Sequence, residues 1–258
     1  MSRDGVTIAI PNWNHELLLA RSILSGLQTL KALNEEGCPG EVLVIDDNSR
    51  DGSLTLLRQL EALYCQEGLC VLALNENIGL AAVRNQALVH SRYRYVAFFD
   101  ADDELIPENI PCLWRAICET GAAAAYGNIL RRLLSSAEVF EVYSNESFQD
   151  QMFDSNYISC FGLFDREQLL DTGGYFRAFP TLEDYEEWLH LACNGRRIVF
   201  VPIAHGYYDM LPNSMITDNT QGQQTHQKIL RIFDQVKARK YLSVNTRHLR
   251  YHPAVGYL

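Results

Sequence analysis

The sequence lacks a long uninterrupted apolar run. Its longest apolar stretches fall well short of the roughly 18 residues that a membrane-spanning helix needs. The first residues, MSRDGVTIAIPNWN, do not have the basic and apolar regions of a signal peptide. We therefore expect no transmembrane segment and a cytoplasmic protein, and peripheral association with a membrane stays open.

Paired cysteines are missing as well. The chain has seven cysteines, an odd number, and no two of them form a Cys-x-x-Cys pair. Such pairs are typical of zinc sites, and an even set of cysteines is typical of the disulfide framework of small secreted domains. Reduced thiols in a cytoplasmic protein are the simpler interpretation.

An excess of basic charge is also absent. The 22 Lys and Arg residues are outnumbered by 32 Asp and Glu residues, for a formal net charge of −10. Nucleic-acid binding needs a basic surface that displaces phosphate counterions, so we expect no nucleic-acid partner. A small anionic ligand is compatible with this charge if a metal ion accompanies it. The exception is the end of the chain, residues 237–250, which we call the basic tail.

The sequence does contain a regular alternation of apolar runs and helical patterns in its first hundred residues. With 47% hydrophobic and 21% charged residues, the composition is that of a globular protein. The alternation is typical of βαβ units and a mainly parallel sheet. The predicted strands cover residues 6–10, 42–45, 71–74 and 95–99, and the predicted helices cover 17–30, 54–63 after an N-cap at Ser53, and 79–90.

The second half is less regular. A helix is predicted to begin between Pro107 and Pro111, and a further helix covers residues 183–195. Strands are predicted for residues 122–126 and 197–201, and a long helix is predicted for residues 220–240.

Polar clusters follow three of the early strands: PNWN at 11–14, DDNSRDGS at 46–53 and DADD at 100–103. Ligands of open α/β sheets bind beyond the carboxyl ends of the strands. Asp100, Asp102 and Asp103 offer the oxygen ligands that Mg²⁺ and Mn²⁺ prefer. The alternative is a solvated acidic turn, in which Asp is favoured for its backbone hydrogen bonds.

Other candidate residues have equally ordinary alternatives. Asp47 could bind a base or ribose, or serve only a turn. Arg84 could reach an anion or be a solvated helix residue, and Trp13 could stack on a base or fill the core. Glu183 and Asp184 lie where carboxylates favour a helix dipole, but Asp184 could also be a general base.

Taken in order, these segments together with the run GGYFRAFPTLEDYEEWLHLACNG resemble a family 2 glycosyltransferase with a GT-A fold, over roughly residues 5–215. The resemblance implies an α/β protein with a Rossmann-like, mainly parallel mixed sheet flanked by helices, in a single domain. Its parts would be a nucleotide-sugar-binding lobe (1–103), an acceptor and catalytic lobe (104–217), and a C-terminal helix with the basic tail (218–258).

The resemblance also implies a set of donor-binding residues. In the family, the first strand-end segment and the second aspartate of the Asp-Asp pair hold the base, and a glycine and an arginine lie beside the nucleotide. The Asp-x-Asp motif binds Mn²⁺ or Mg²⁺, mainly through its second aspartate, and the first lies nearer the ribose. These roles fall on Pro11, Asn12, Trp13, Asp47, Gly79, Arg84, Asp100 and Asp102.

The implied reaction is a metal-dependent, inverting transfer of a sugar from a nucleoside-diphosphate sugar, with a UDP-sugar expected. Asp184, paired with Glu183, matches the usual base, and the acceptor would be a sugar, a lipid-linked molecule or a protein, as in polysaccharide biosynthesis. Two alternatives stay open. One is a non-catalytic nucleotide-sugar-binding relative, and the other is a sugar-phosphate nucleotidyltransferase, although IPNWNHELLL lacks that class's glycine-rich phosphate loop.

The chain departs from the family's pattern at several positions. Asn12 and Trp13 replace the more usual Thr and Tyr, and His190 stands where an arginine is common. Asp209 and Leu211 take the places of an arginine and a histidine that normally help to bind the diphosphate. We expect Arg84 and the basic tail, closing as a lid, to supply the missing positive charge.

Overall fold

A computed structural model describes residues 3–148, 152, 156–171 and 183–210, together with the backbone of two short strands near the end of the chain. Leu211, the helix predicted for 220–240 and the basic tail lie outside the described side chains. In the part that is described, no helix combines the length and the apolar character needed to cross a membrane.

The first half of the chain forms four parallel strands joined by three helices, as the sequence predicts. β1 lies between β2 and β4, and β3 lies beyond β2. The apolar, largely β-branched runs of β1 and β2 are buried on both faces, as central strands of a parallel sheet must be. The elements are β1 (Arg3–Asn12), α1 (Glu16–Glu35), β2 (Gly40–Asp46), α2 (Ser53–Tyr64), β3 (Leu69–Ala73), α3 (Leu80–His90) and β4 (Tyr93–Phe98).

The second half extends the same sheet with both parallel and antiparallel pairs. The elements are β5 (Glu104–Leu105), α4 (Ile110–Thr120), β6 (Ala124–Leu133), β7 (Glu138–Tyr143), β8 (Gly162–Asp165), α5 (Arg166–Asp171), α6 (Glu183–Cys193) and β9 (Ile198–Met210). Among the described residues the sheet has nine strands in the order β3-β2-β1-β4-β8-β6-β9-β5, with β7 paired to β6.

The mixed character of the sheet comes from these later strands. β8 is antiparallel to both β4 and β6, whereas β6 and β9 are parallel. The predicted strands at 122–126 and 197–201 and the helices after Pro107 and at 183–195 are present. β5, β7, β8 and α5 did not stand out in the sequence. β10 (Tyr251–His252) and β11 (Gly256–Tyr257) pair in antiparallel orientation as a separate two-stranded sheet.

One local expectation was wrong. The N-cap residue of α2 is Gly52 and not Ser53, which is the first residue of the helix. Asp51 Oδ1 accepts a hydrogen bond from the Ser53 amide at 2.9 Å, and Glu16 Oε2 accepts one from the Gly52 amide at 3.0 Å. Neighbouring carboxylates therefore do the capping that the sequence assigned to the serine hydroxyl.

The packing of α6 on the sheet places the beginning of that helix. Trp188 is fully buried, with its ring 4.8 Å from the ring of Phe164 and 5.5 Å from that of Tyr126. A Cβ atom at Gly162 would lie 2.8 Å from the Trp188 ring, so the close approach of helix and strand requires glycine there. Residues at the N-terminus of α6 are thereby held against the strand ends.

Candidate active site

Residues 100–103, which we call the acidic loop, follow β4. Side chains of α1 form hydrogen bonds with the main chain of this loop. Ser22 Oγ lies 2.7 Å from the Ala101 carbonyl oxygen and 2.6 Å from that of Asp103, so its one hydroxyl hydrogen is shared between them. Arg21 Nη2 donates to the Asp102 carbonyl at 2.6 Å. Side chains of one helix therefore satisfy three successive carbonyls of the loop, which leaves its carboxylates on a fixed backbone.

Asp100 is held at both of its carboxylate oxygens. Arg84 Nη2 lies 3.0 Å from Oδ1, and the Cys160 thiol donates to Oδ2 at 3.4 Å. Burial and then the charge of Asp100 raise the pKa of the Cys160 thiol, so Cys160 stays a neutral donor. The orientation of Asp100 is thus set before any ligand binds.

Arg84 joins two carboxylates that are distant in the sequence. Its side chain is 1% exposed and contacts Asp100 and Glu183. Burial opposes the charge of Arg84, but the two carboxylates outweigh burial and raise its pKa. The structure therefore brings together three predicted site residues, from α3, the acidic loop and α6.

Asp184 is next to this group and only partly exposed. Burial, followed by the charge of Glu183, raises the pKa of Asp184 to about 7, against the lowering effect of Arg84. The Tyr185 amide donates to Asp184 Oδ1 at 2.8 Å and orients the carboxyl group. A carboxylate with a pKa near neutrality is suited to accept a proton at physiological pH.

Asp102 and Asp103 differ in their surroundings. Asp103 is buried, and its Oδ1 accepts a hydrogen bond from the Asp209 amide at 2.7 Å. Asp102 is partly exposed, and its pKa is raised by burial and then by the charge of Asp100. A divalent cation between Asp100 and Asp102 would relieve this repulsion.

The described residues contain no group of three His, Cys, Asp or Glu side chains converging as a ready metal site. Mg²⁺ and similar hard cations commonly take only one or two protein carboxylates and complete their shell with water and substrate phosphates. Asp100 and Asp102 fit that smaller donor set, in which a diphosphate is part of the coordination.

The ends of β1 and β2 meet the start of α3. The Asp47 amide donates to the Asn12 carbonyl at 2.8 Å. Asp47 Oδ1 and Oδ2 accept from the amides of Ile78 at 2.7 Å and Gly79 at 2.9 Å. Gly79 has a φ of 84°, a conformation that favours glycine. Asp47 therefore ties down the turn into α3, a role the sequence did not reveal.

Asn12 and Trp13 take opposite positions at the end of β1. Asn12 is 1% exposed and donates to Asp46 Oδ1 at 2.7 Å and to Ser49 Oγ at 3.2 Å, and Pro11 beside it is buried. Trp13 is 48% exposed. The core alternative for Trp13 does not hold, and its ring is available to a ligand.

The positions of the family's missing cations are occupied differently. His190 is buried on α6 with its Nδ1 4.0 Å from Glu187 Oε1. Asp209, at the end of β9, is bound by two arginines. Arg132 contacts both of its oxygens, at 2.7 and 2.8 Å, and Arg21 contacts Oδ2 at 2.7 Å.

Sequence reasoning missed Cys160, Arg21 and Arg132. Cys160 lies in an irregular stretch before β8, which was itself not predicted. Arg21 occurs in a regular helical pattern, where an arginine normally faces solvent. The unusual aspartate at position 209 was the available signal, because a buried carboxylate needs a cation as partner.

The sequence profile described as Glycosyl transferase family 2 matches residues 7–170. TuaG of Bacillus subtilis, a glycosyltransferase assigned to teichuronic acid biosynthesis, is 28% identical over 196 residues, which cover 74% of this chain and 73% of TuaG. In several other curated relatives the match spans only 22% to 55% of their length.

Two solved structures share the fold at low sequence identity. S. aureus TarS 1-349 in complex with UDP-GlcNAc superposes with a TM-score of 0.65 at 20% identity, covering 83% of this chain and 61% of that one. The mannosyltransferase PcManGT from Pyrobaculum calidifontis, in complex with GDP-Man and Mn²⁺, has a TM-score of 0.66 at 18% identity. The match covers 94% of this chain and 66% of PcManGT.

Proposed function

Because this chain belongs to glycosyl transferase family 2 and has the GT-A fold, we propose that it transfers a sugar from a nucleoside-diphosphate sugar to an acceptor hydroxyl, with inversion at the anomeric carbon and with the help of a divalent cation. We further propose that residues 1–103 bind the donor and residues 104–217 bind the acceptor. We assign the reaction to the cytoplasm.

The observation that carries this proposal is the position of Asp184. A carboxylate with a pKa of about 7 lies at the N-terminus of α6, beside the Arg84, Asp100 and Glu183 group at the strand ends. Open α/β sheets bind ligands at that edge, and strongly shifted pKa values cluster at functional sites. Attraction to the helix dipole would explain why acidic residues occur at the N-terminus of α6, but it would not explain why burial raises the pKa of Asp184.

Asp184 would remove the proton from the acceptor hydroxyl. The acceptor oxygen forms a bond to the anomeric carbon while the bond from that carbon to the diphosphate oxygen breaks. The electron pair of the broken bond leaves with the nucleoside diphosphate, and the proton stays on Asp184. Attack from the face opposite the leaving group produces inversion.

The residues that would hold a cation are Asp102 and Asp100. Mn²⁺ or Mg²⁺ bound there would offset charge on the departing diphosphate. Arg84 would act by keeping Asp100 and Glu183 in place, because its guanidinium is buried between them.

A UDP-sugar is the donor we expect, and two observations support a nucleotide at this edge. Trp13 presents an exposed ring beside the end of β1, where a base can stack. The TarS structure contains UDP-GlcNAc, and the PcManGT structure contains GDP-Man with Mn²⁺.

A panel of UDP, GDP and their sugars, each with and without Mn²⁺, tests the proposal by thermal shift and by release of nucleoside diphosphate. We expect UDP with Mn²⁺ to stabilise the protein, by about 2.7 kcal/mol at 100 times the dissociation constant, and UDP-sugar to be turned over. Binding without turnover, across a panel of acceptors, would instead favour a non-catalytic relative. Absence of any metal-dependent shift would contradict the cation assignment.

A further inference from the structure

The acidic loop is tied to the end of β9 through Asp209. The Asp209 amide donates to Asp103 Oδ1 at 2.7 Å, and the Asp209 side chain is fully buried. Arg21 Nη2, on α1, lies 2.7 Å from Asp209 Oδ2 and 2.6 Å from the Asp102 carbonyl oxygen. One nitrogen of Arg21 therefore joins a buried carboxylate to the main chain of the residue expected to bind the cation.

We propose that Arg21, braced by Asp209, is a positioning residue for the acidic loop: it holds the Asp102 main chain so that the Asp102 carboxylate faces the bound cation. This inference rests on the proposed function, because it concerns the same cation. Arg21 would not touch the cation itself and would act only through Asp102.

The geometry separates Arg21 from the second arginine of the group. Arg132 binds the side chains of Asp209 and Glu104. Arg21 binds Asp209 and also the loop backbone, so the two hydrogens of its Nη2 can serve both acceptors at once. Groups that orient a metal ligand in this way typically contribute a factor of roughly 10–100 to metal affinity.

The test is the affinity for Mn²⁺ in the presence of UDP, measured by calorimetry on the full chain. We expect Arg21→Ala to weaken Mn²⁺ binding by roughly 10–100-fold and to leave UDP binding without metal unchanged. Asp209→Asn is expected to act in the same direction but less strongly. Arg21→Lys, which keeps the charge, should lie between the parent and Arg21→Ala.

The control is Arg115→Ala, which removes an arginine that pairs with Glu36 on the surface, away from the loop. It should bind Mn²⁺ as the parent does. A double variant lacking both Arg21 and Asp209 should be no weaker than Arg21→Ala, because both residues act through one contact.

The outcomes separate the inference from the proposed function. If the parent binds UDP but shows no affinity for Mn²⁺, the cation assignment and this inference fail together. If the parent binds Mn²⁺ while Arg21→Ala and Asp209→Asn bind it equally well, Arg21 is only a tether between α1 and β9, and the inference alone is wrong. The inference is also wrong if the Arg21 and Asp209 variants have a lowered melting temperature but bind Mn²⁺ with the affinity of the parent.

Discussion

Two charged groups flank the acidic loop, and their charge balance differs. The first, which we call the Arg84 group, consists of Arg84, Asp100, Glu183 and Asp184. One arginine there faces three carboxylates. Burial and then the charge of Glu183 raise the pKa of Asp184, so a proton or a cation is favoured in this group.

The second, the Asp209 group, consists of Arg21, Arg132, Glu104 and Asp209. Two arginines face two carboxylates, and both oxygens of Asp209 are bound. A buried carboxylate with two cationic partners has no need of a ligand.

From this difference we expect the Arg84 group to bind the ligand and the Asp209 group to support the acidic loop. An unbalanced group is unfavourable in the free protein and becomes favourable when a ligand completes it, which is how many functional sites are built. A balanced group gains nothing from a ligand but keeps its neighbours in place. We therefore expect the same residue types to have separate roles in the two groups.

The largest expected effect comes from removing the base in the Arg84 group. Asp184→Asn cannot accept a proton, so turnover should fall by about 10²–10⁴-fold. Donor affinity should change little, because the proposed role is proton transfer. Steady-state kinetics and UDP-sugar binding measure both quantities. If turnover stays close to that of the parent, Asp184 is not the base and only interacts favourably with the helix dipole.

The pH profile sharpens the same prediction. Burial and then the charge of Glu183 raise the pKa of Asp184 to about 7, and only the ionised carboxylate could serve as the proposed base. Below pH 7 the carboxyl is increasingly protonated, so kcat/KM of the parent should rise with pH and level off above about 7. The residual activity of Asp184→Asn should lack this rise.

The next prediction compares the two groups directly. Arg84→Met leaves buried carboxylates without a cation, and removing one partner of a buried pair typically costs about 3–5 kcal/mol. Arg132→Met should cost less, because Arg21 still binds Asp209. Urea unfolding of both variants at neutral pH gives the free energies. Equal losses would mean that charge balance does not distinguish the groups.

Removing Asp102, the proposed main cation ligand, should have the third largest effect. Asp102→Asn takes a charged oxygen from a hard-cation site, and we expect roughly 100-fold weaker Mn²⁺-dependent UDP binding. Asp4→Asn, which removes an exposed carboxylate near the start of β1, is the control. Calorimetry that finds parental Mn²⁺ affinity in Asp102→Asn would exclude this metal site.

The smallest effect is expected at Trp13. Stacking of a base on an aromatic ring is worth about 1–3 kcal/mol, so Trp13→Ala should weaken UDP binding roughly tenfold. Its ring is 48% exposed, so the melting temperature should stay close to that of the parent. Leu17→Ala, which truncates a 93% exposed neighbour, is the matched control. Unchanged UDP affinity in Trp13→Ala would place the base elsewhere.

The first half of the fold could be predicted because its signals are local. Apolar runs such as those of β1 and β2 alternate with helical patterns, and each strand is followed by polar residues. β8 and β5 escaped prediction for a physical reason. β8 has four residues and β5 has two, and both are stabilised by antiparallel partners distant in the sequence.

The same distinction between local signals and long-range contacts applies to the candidate site. Asp100, Arg84 and Glu183 were assigned to one site through the resemblance of their segments to those of the family, and in the structure Arg84 contacts both carboxylates. The residues that support the site could not be predicted from the sequence. Cys160 and Arg21 act through tertiary contacts with residues that are 60 and 81 positions away in the chain. Sequence patterns report local periodicity and not such pairs.

Asp47 binds two amides of the turn that leads into α3. This feature affects how the proposed donor preference of the protein could be redesigned. Position 47 is an obvious choice for altering base recognition, but both oxygens of Asp47 hold the amides of Ile78 and Gly79. A substitution there would disturb the first turn of the helix that carries Arg84, and with it the contacts to Asp100. Trp13, whose ring is 48% exposed, is therefore the position at which we expect the proposed donor specificity to change with the least effect on the Arg84 group.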